Sequence, residues 1–170
     1  MTNPWEGLYT SEVRRWGDDT TYLLGYAHLK PCSLIEDWGC DGGYFKHITG
    51  ANVLGVDFVD TPHATLKADL RLYLSHTPGL FMRHVLEHNY EWSRILHNAL
   101  ASFTERMALV LFTPFEAQTR NISLANNTVP DLSFRLEDLT SAIHPLRYHL
   151  IRDIPTASQY GVEHVFWIWK

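Results

Sequence analysis

The residues best placed to do chemistry are two aspartates and the glycine-rich turn between them. Residues 33–45 read Ser-Leu-Ile-Glu-Asp-Trp-Gly-Cys-Asp-Gly-Gly-Tyr-Phe, an apolar run that reaches Asp37, bends through glycines and continues into a helix. A strand, turn and helix in this order present backbone N–H groups and a carboxylate to a nucleotide-like ligand. Asp57 ends the next apolar run about 20 residues later, where a carboxylate can hold both hydroxyls of a ribose.

A second set of titratable side chains consists of His84, Glu87 and His88. Their spacing spells H-x-x-E-H, the inverted zinc-protease motif, in which two histidines on one helical face bind zinc and the glutamate acts as base. Residues 79–82 are typical of a strand rather than a helix, and a new helix begins near Trp92. We therefore favour a strand end beside a bound ligand. Zinc hydrolysis is the least favoured alternative, and we expect no metal site.

Composition and charge restrict the class of protein. The 170 residues are 45% hydrophobic and 19% charged, which fits one globular domain over 1–170 with an N-terminal arm at 1–17. No apolar run is long enough to cross a membrane, and Cys32 and Cys40 are too few for a disulfide framework, so we expect a cytoplasmic protein. The formal charge of -5 argues against strong non-specific binding to nucleic acid.

Hydrophobic periodicity predicts alternating strands and helices. The predicted strands are 33–38, 52–58, 66–70, 80–85, 107–112, 147–153 and 164–170. The predicted helices are 20–30, 42–49, 91–104 and 133–143, the last of them capped by Ser133. Pro62 abbreviates the connection after the second strand, and a loop with Pro155 and Gly161 joins the last two strands as an antiparallel pair. This order predicts an α/β fold, with a mostly parallel sheet and helices on both faces.

Four motifs in sequence order resemble those of the class I S-adenosylmethionine-dependent methyltransferases. Residues 36–43 are similar to the family's first motif, an acid followed by Gly-Cys-Gly-x-Gly, and 56–57 to its ribose-binding acid. Residues 68–70 resemble the segment that lines the adenine, and 83–88 resemble the end of strand four in small-molecule members. The resemblance implies a Rossmann-like fold with a seven-stranded or slightly reduced sheet, a closing antiparallel pair, and S-adenosyl-L-methionine as the cofactor.

The resemblance also implies roles for individual residues. The implied cofactor contacts are Asp37, Gly39, Cys40, Gly43, Asp57, Phe58, Asp69, Leu70 and His84. His88, with Glu87 or His84, is the candidate catalytic base or the group that orients the acceptor. Asp69 equally fits a surface turn, and His88 equally fits an exposed or helix-capping imidazole.

Asp41 stands where the family has its middle glycine. A carboxylate there would repel a pyrophosphate at the helix N-terminus but suits the sulfonium and ammonium groups of S-adenosylmethionine, so the substitution disfavours NAD. We expect Asp41 to cap the following helix and Gly42 to supply backbone freedom.

These features predict a methyltransferase whose acceptor is a small molecule or a group presented by a partner. In-line methyl transfer needs little acid–base chemistry beyond removal of one proton, so alignment and exclusion of water supply most of the acceleration. The aromatic residues Tyr9, Trp16 and Tyr22 either cover the cofactor as a lid or only pack. The alternative is a non-catalytic module that keeps the fold for binding or assembly, because Asp41 departs from the motif and no substrate-recognition insertion is evident.

Overall fold

The computed structural model describes residues 9–123 and 129–170, so the expected N-terminal arm at 1–17 is described from Tyr9 onward. The strands are β1 (Ile35–Trp38), β2 (Val53–Asp57), β3 (Leu66–Lys67), β4 (Thr77–Arg83), β5 (Phe103–Leu111), β6 (Arg120–Asn121), β7 (Leu132–Ser133), β8 (Arg147–Pro155) and β9 (Val162–Trp169). The helices are α1 (Thr20–Leu29), α2 (Tyr44–Thr49), α3 (Trp92–Ser102) and α4 (Leu136–Ile143), with a 3₁₀ turn at Leu86–His88.

Seven strands form one sheet in the order β3-β2-β1-β4-β5-β9-β8 within the described residues. The first five strands in this order run parallel to one another, whereas β9 is antiparallel to both β5 and β8. The predicted mostly parallel sheet with a closing antiparallel pair is therefore confirmed. Strands β6 and β7 form a separate antiparallel pair at the same end of the molecule as the 3₁₀ turn.

The register of the central strands brings the sequence motifs to one edge. Strand β1 lies between β2 and β4, with Asp37 opposite Gly55 on one side and Phe81 on the other. Because the three strands are parallel, their carboxyl ends lie at the same edge of the sheet. The glycine turn, Asp57 and the 84–88 segment all follow these ends, so they meet there.

Helices cover both faces of the sheet, as predicted. Strand β5 shows this best, because Met107 and Leu109 join the cluster formed with α3 and α4, while Ala108 and Val110 join the cluster formed with α1 and α2. An unbroken apolar run is expected in a strand that is buried on both faces. Within the described ranges, no helix combines the length and the apolar character needed to cross a lipid bilayer.

Two element boundaries differ from the prediction for local reasons. Strand β3 stops at Lys67 because Asp69 starts a turn, in which the N–H groups of Leu72 and Tyr73 donate to its carbonyl oxygen at 2.9 and 2.8 Å. The expectation that Ser133 caps the last helix is wrong. Ser133 lies in β7 and donates its hydroxyl to the Pro114 carbonyl, and α4 begins three residues later, at Leu136.

Candidate functional site

A cavity of about 590 Å³ lies over the carboxyl ends of β1, β2 and β4. The predicted site residues in its wall are Gly39, Asp57, Phe58, Asp69, Leu70, His84 and His88. The predicted residues outside its wall are Asp37, Cys40, Gly43 and Glu87. The fold therefore brings most of the candidate residues from four separate segments to one cavity.

Gly39 lets the backbone of the turn reach the cavity. Its φ is 78°, and a Cβ atom at this position would overlap the side chain of Val85. The Gly39 N–H donates to the Val56 carbonyl at 2.8 Å, which fixes the turn against β2. The absence of a side chain therefore lets the turn pack directly against Val85, which also lines the cavity.

Asp57 is held by two backbone donors. Its Oδ1 accepts from the Val59 N–H at 3.0 Å and its Oδ2 from the Asp41 N–H at 3.0 Å, and the residue is only 8% exposed. Burial raises the pKa of its carboxyl above the usual range, although these two N–H groups favour the charged form. Each oxygen keeps a second lone pair, so the carboxylate can accept hydrogen bonds from a diol.

Asp41 also lies in the cavity wall, and its role in the turn differs from the expected helix cap. Its φ is 35°, its carboxylate accepts from the adjacent Gly42 N–H, and α2 begins after Gly43 with no side-chain cap. The capping expectation is therefore wrong. Desolvation raises the pKa of Asp41 to about 7, and the negative charge of Asp57 acts in the same direction.

Asp37 and Cys40 lie beneath the turn rather than in the cavity wall. Asp37 is 4% exposed, and burial together with the charges of Asp41 and Asp57 raises the pKa of its carboxyl well above the usual range. The Cys40 sulfur faces Gly55, where an added Cβ atom would lie 2.7 Å from it. At Gly43, an added Cβ atom would lie 2.7 Å from the His63 ring, so this glycine packs against a side chain.

The far wall of the cavity beyond Asp57 is apolar and ends in an ion pair. Phe58 is 51% exposed, and Leu70 and Ile95 supply apolar surface next to it in the wall. Arg71 donates to Asp69 at 2.7 Å, and its hydrogen bonds lower the pKa of that carboxyl. This part of the cavity can take a flat apolar group that carries polar edges.

A buried charged cluster closes the opposite side. Arg83 Nη2 donates to Glu163 Oε1 at 2.6 Å, and His84 Nε2 lies 2.5 Å from the same oxygen. Thr21 donates its hydroxyl to Glu163 Oε2 at 2.5 Å. Glu163 is fully buried, and nothing in the local sequence distinguishes it from a strand residue near the chain end. Burial, and then the charge of Arg83, lowers the pKa of His84 to about 4.

His88 is oriented by Asp131, a residue that the sequence prediction missed. His88 Nδ1 lies 3.1 Å from the Pro130 carbonyl oxygen and 3.3 Å from Asp131 Oδ1. Asp131 Oδ2 accepts from the Tyr160 hydroxyl at 2.8 Å and from Gln159 Nε2 at 3.1 Å. Burial alone would lower the pKa of His88, but the bond to Asp131 and the charge of Glu87 outweigh it and raise the pKa.

Glu87, a candidate catalytic residue together with His88, does not line the cavity. It is fully buried, and its Oε1 accepts from the Phe112 N–H at 2.6 Å. Burial raises the pKa of its carboxyl to about 7. The zinc interpretation is also wrong in its geometry, because His84 has a φ of 57° at a strand end and His88 lies in a 3₁₀ turn. The described residues hold no group of three or more potential metal ligands.

The N-terminal arm lies across the glycine turn. The Arg14 N–H donates to the Gly42 carbonyl at 3.1 Å, and the Arg14 guanidinium lies 3.8 Å from the centre of the Trp16 ring. Tyr9 and Trp16 line the cavity, whereas Tyr22 is buried and accepts from Arg83 at 3.0 Å. The arm thus supplies part of the wall, and its action as a lid stays a prediction.

No model of a known protein family matches the sequence, and no curated protein sequence is similar to it. Solved structures are similar in fold. The 1,6-didemethyltoxoflavin-N1-methyltransferase of Burkholderia thailandensis, solved with 1,6-didemethyltoxoflavin and S-adenosylhomocysteine, has a TM-score of 0.68 at 16% identity over 89% of this chain and 76% of that one. The magnesium protoporphyrin IX methyltransferase of Synechocystis PCC 6803, solved with S-adenosylhomocysteine, has a TM-score of 0.64 at 15% identity over 89% of this chain and 83% of that one.

A third structure, an S-adenosylmethionine-dependent methyltransferase of Mesorhizobium loti, gives a TM-score of 0.57 at 13% identity over 80% of this chain and 90% of that one. These alignments span most of each chain. At such low sequence identities, the structural similarity establishes that the folds are the same and nothing more.

Proposed function

We propose that this chain, which has the fold of the class I S-adenosylmethionine-dependent methyltransferases, binds S-adenosylmethionine and transfers its methyl group to a small molecule. One observation carries the proposal. A single cavity joins the glycine turn and Asp57 on one side to His84 and His88 on the other. Structures with the same fold hold S-adenosylhomocysteine, and one of them holds a small-molecule acceptor as well.

The chemistry of the cavity wall fits this cofactor. The Asp57 carboxylate is fixed by two N–H groups and can accept from the ribose hydroxyls. Phe58 and Leu70 offer the apolar surface that a purine needs. The Gly39 backbone approaches the ligand without a side chain, and the Asp41 carboxylate beside it opposes a pyrophosphate but not a sulfonium.

When bound, S-adenosylmethionine supplies an electrophilic methyl group on a positively charged sulfur. The chain's task is then to align the acceptor, exclude water and take one proton. His88 is the group that takes it. A carbonyl only accepts hydrogen bonds, so the Pro130 oxygen requires the His88 proton on Nδ1, and Nε2 is the basic atom. Asp131 stabilises the imidazolium that forms when Nε2 gains a proton.

Calorimetric titration of the full chain with S-adenosylmethionine tests the binding step. The Asp57→Ala variant removes a charged acceptor, so the affinity should fall roughly 10- to 100-fold, the equivalent of about 1.5–3 kcal/mol. The Asp60→Ala variant removes an exposed acid nearby and should bind as the wild type does. Equal affinity of the Asp57 variant and the wild type would contradict the proposed ribose contact.

Methyl transfer is tested by incubating the chain with S-adenosylmethionine labelled in the methyl group and a small-molecule fraction of a cell extract. Labelled product that requires His88 supports the enzyme. Saturable binding of S-adenosylmethionine with no labelled product, whether small molecules or macromolecules are offered as acceptors, would instead favour a non-catalytic binding module.

A further inference from the structure

Asp41 places a carboxyl group in the cavity wall that forms no ion pair with a cation among the described residues. The cationic group facing it is Arg83, and Arg83 is already paired with the buried Glu163 at 2.6 Å. Arg14 packs its backbone against Gly42, with its guanidinium over the Trp16 ring. The other groups around Asp41 are acidic or neutral: Asp57, Asp37, Tyr9, Tyr22 and Cys40. The hydrogen-bond donors to the Asp41 carboxylate are the Gly42 N–H and the side chain of Trp16, and both are uncharged.

Building on the proposed function, we propose that the Asp41 carboxylate makes the cavity prefer the sulfonium cofactor over the thioether product, so that the charge change in the reaction promotes product release. S-adenosylmethionine and S-adenosylhomocysteine differ by one methyl group and one positive charge. They share the adenosine, the ammonium and the carboxylate, so contacts to those groups cancel in the ratio of the two affinities. The ratio of affinities then depends on the contacts of the methyl group and on the interaction of the sulfur charge with the charges of the wall. Only the second of these depends on the charge of Asp41.

The reaction removes the positive charge from the sulfur, and with it the attraction to Asp41. The acceptor's lone pair forms the new bond to the methyl carbon, and the electron pair of the carbon–sulfur bond stays on sulfur. The positive charge therefore leaves the sulfur and departs with the acceptor's proton, which His88 takes. Asp41 then faces a neutral thioether, and the attraction that favoured the cofactor is lost.

The same geometry gives the affinity for the sulfonium a pH dependence. Because desolvation raises the pKa of Asp41 to about 7, a positive ligand binds better as the pH rises through this value and displaces a proton. His88 lines the same cavity and also titrates above its ordinary value, so it contributes in the same direction. Removal of the Asp41 charge leaves the contributions of His88 and of the neighbouring Asp37 and Asp57 carboxyls in place, so the decrease in pH dependence reports Asp41.

The test is calorimetric titration of the full chain with S-adenosylmethionine and, separately, S-adenosylhomocysteine between pH 6 and 8.5. Asp41→Asn removes the charge at nearly constant shape, and Asp41→Gly restores the family's residue at a position where φ is 35°. Asp60→Asn is the matched control, because it removes the charge of an exposed acid. Circular dichroism checks that each variant is folded.

We expect the preference for S-adenosylmethionine over S-adenosylhomocysteine to fall about 5- to 10-fold in both Asp41 variants at pH 8. It should be unchanged in Asp60→Asn. In the wild type, the preference should rise between pH 6 and 8, and in Asp41→Asn this rise should shrink. An unchanged preference in folded Asp41 variants that bind both ligands overturns this inference alone, whereas a wild type that binds neither ligand overturns the proposed function as well.

Discussion

His88 Nδ1 and Asp131 Oδ1 lie 3.3 Å apart, and Asp131 is held in turn by Tyr160 and Gln159. Asp131 directly precedes β7, Gln159 and Tyr160 lie in the loop between β8 and β9, and His88 ends the 3₁₀ turn after β4. Segments that are distant in sequence thus fix one imidazole at the cavity wall. A carboxylate in this position orients the ring and favours its protonated form.

Replacing Asp131 by Asn should lower the pKa of His88. The change keeps the size of the side chain but removes the charge that stabilises the imidazolium, so burial should dominate and bring the pKa below that in the wild type. Titration of the His88 ring by NMR measures this without an acceptor. The pH at which methyl transfer reaches half its maximum should move to lower pH in parallel.

The control for this experiment is Glu137→Gln, which changes an exposed acid that forms an ion pair with Arg135. It should leave the His88 titration unchanged. If Asp131→Asn lowers the rate at every pH but leaves the pKa of His88 where it was, then Asp131 has a structural role only.

Replacing Glu163 by Gln should destabilise the fold strongly. Glu163 is fully buried and bonds to Arg83, His84 and Thr21, so the variant leaves the Arg83 charge without its partner. Breaking a buried pair in this way typically costs about 3–5 kcal/mol in the free energy of unfolding. Urea denaturation followed by fluorescence measures the loss.

Glu137→Gln again provides the comparison, since exposed ion pairs are usually worth about 0–1 kcal/mol. Similar free energies of unfolding for the two variants would mean that the cluster around Glu163 contributes no more than a surface pair.

His84 should make the protein less stable as the pH falls from about 6.5 to about 4. Burial lowers its pKa in the folded state from 6.5 to about 4, so in this window the unfolded chain binds a proton that the folded chain does not. Above pH 6.5 His84 is neutral in both the folded and the unfolded chain, so its titration causes no loss of stability there. Urea denaturation of His84→Gln at several pH values should therefore show a shallower loss of stability across the window.

Two other buried histidines also contribute to the loss of stability at low pH, and both are still present in His84→Gln. Burial also lowers the pKa values of His28 and His164, so the slope should decrease but not vanish. His47→Gln, at an exposed position in α2, is the control for replacing a histidine by glutamine. A slope in His84→Gln as steep as that of the wild type would contradict the assignment.

The parts of the fold that follow from local patterns could be predicted from the sequence. The apolar run in β5 predicted a strand buried on both faces, and Pro62 predicted the abbreviated connection after β2. The four motifs also led to the edge where Gly39 and Asp57 meet. Each of these features depends on residues close together in the chain or on the known order of motifs.

The contacts that complete the site could not be predicted in the same way. Glu163 meets Arg83 only because β9 inserts antiparallel beside β5, and its neighbours in sequence give no sign of an ion pair. Asp131 meets His88 through a short strand pair that has little periodicity of its own. The burial of Glu87 could not be predicted because its carboxyl accepts from the Phe112 N–H, which lies far away in the sequence.

Gly39→Ala should weaken both the fold and the binding of S-adenosylmethionine. The position has a φ of 78°, a conformation that lowers the free energy of unfolding by about 1–2 kcal/mol for a residue other than glycine. The new Cβ atom would also overlap Val85. Gly50→Ala offers a matched control at the end of α2, where φ is 60° but nothing lies within 4 Å of the added atom. Gly50→Ala should therefore lose stability through the backbone alone and keep its affinity.

The double variant Gly39→Ala with Val85→Ala separates the two causes at the cavity. Removing the Val85 methyl groups relieves the overlap but leaves the strained φ, so stability should recover only in part. Thermal unfolding and calorimetric titration with S-adenosylmethionine measure the two effects on the same samples. Equal losses of stability and unchanged affinity in Gly39→Ala and Gly50→Ala would show that the close approach at Gly39 serves neither packing nor the ligand.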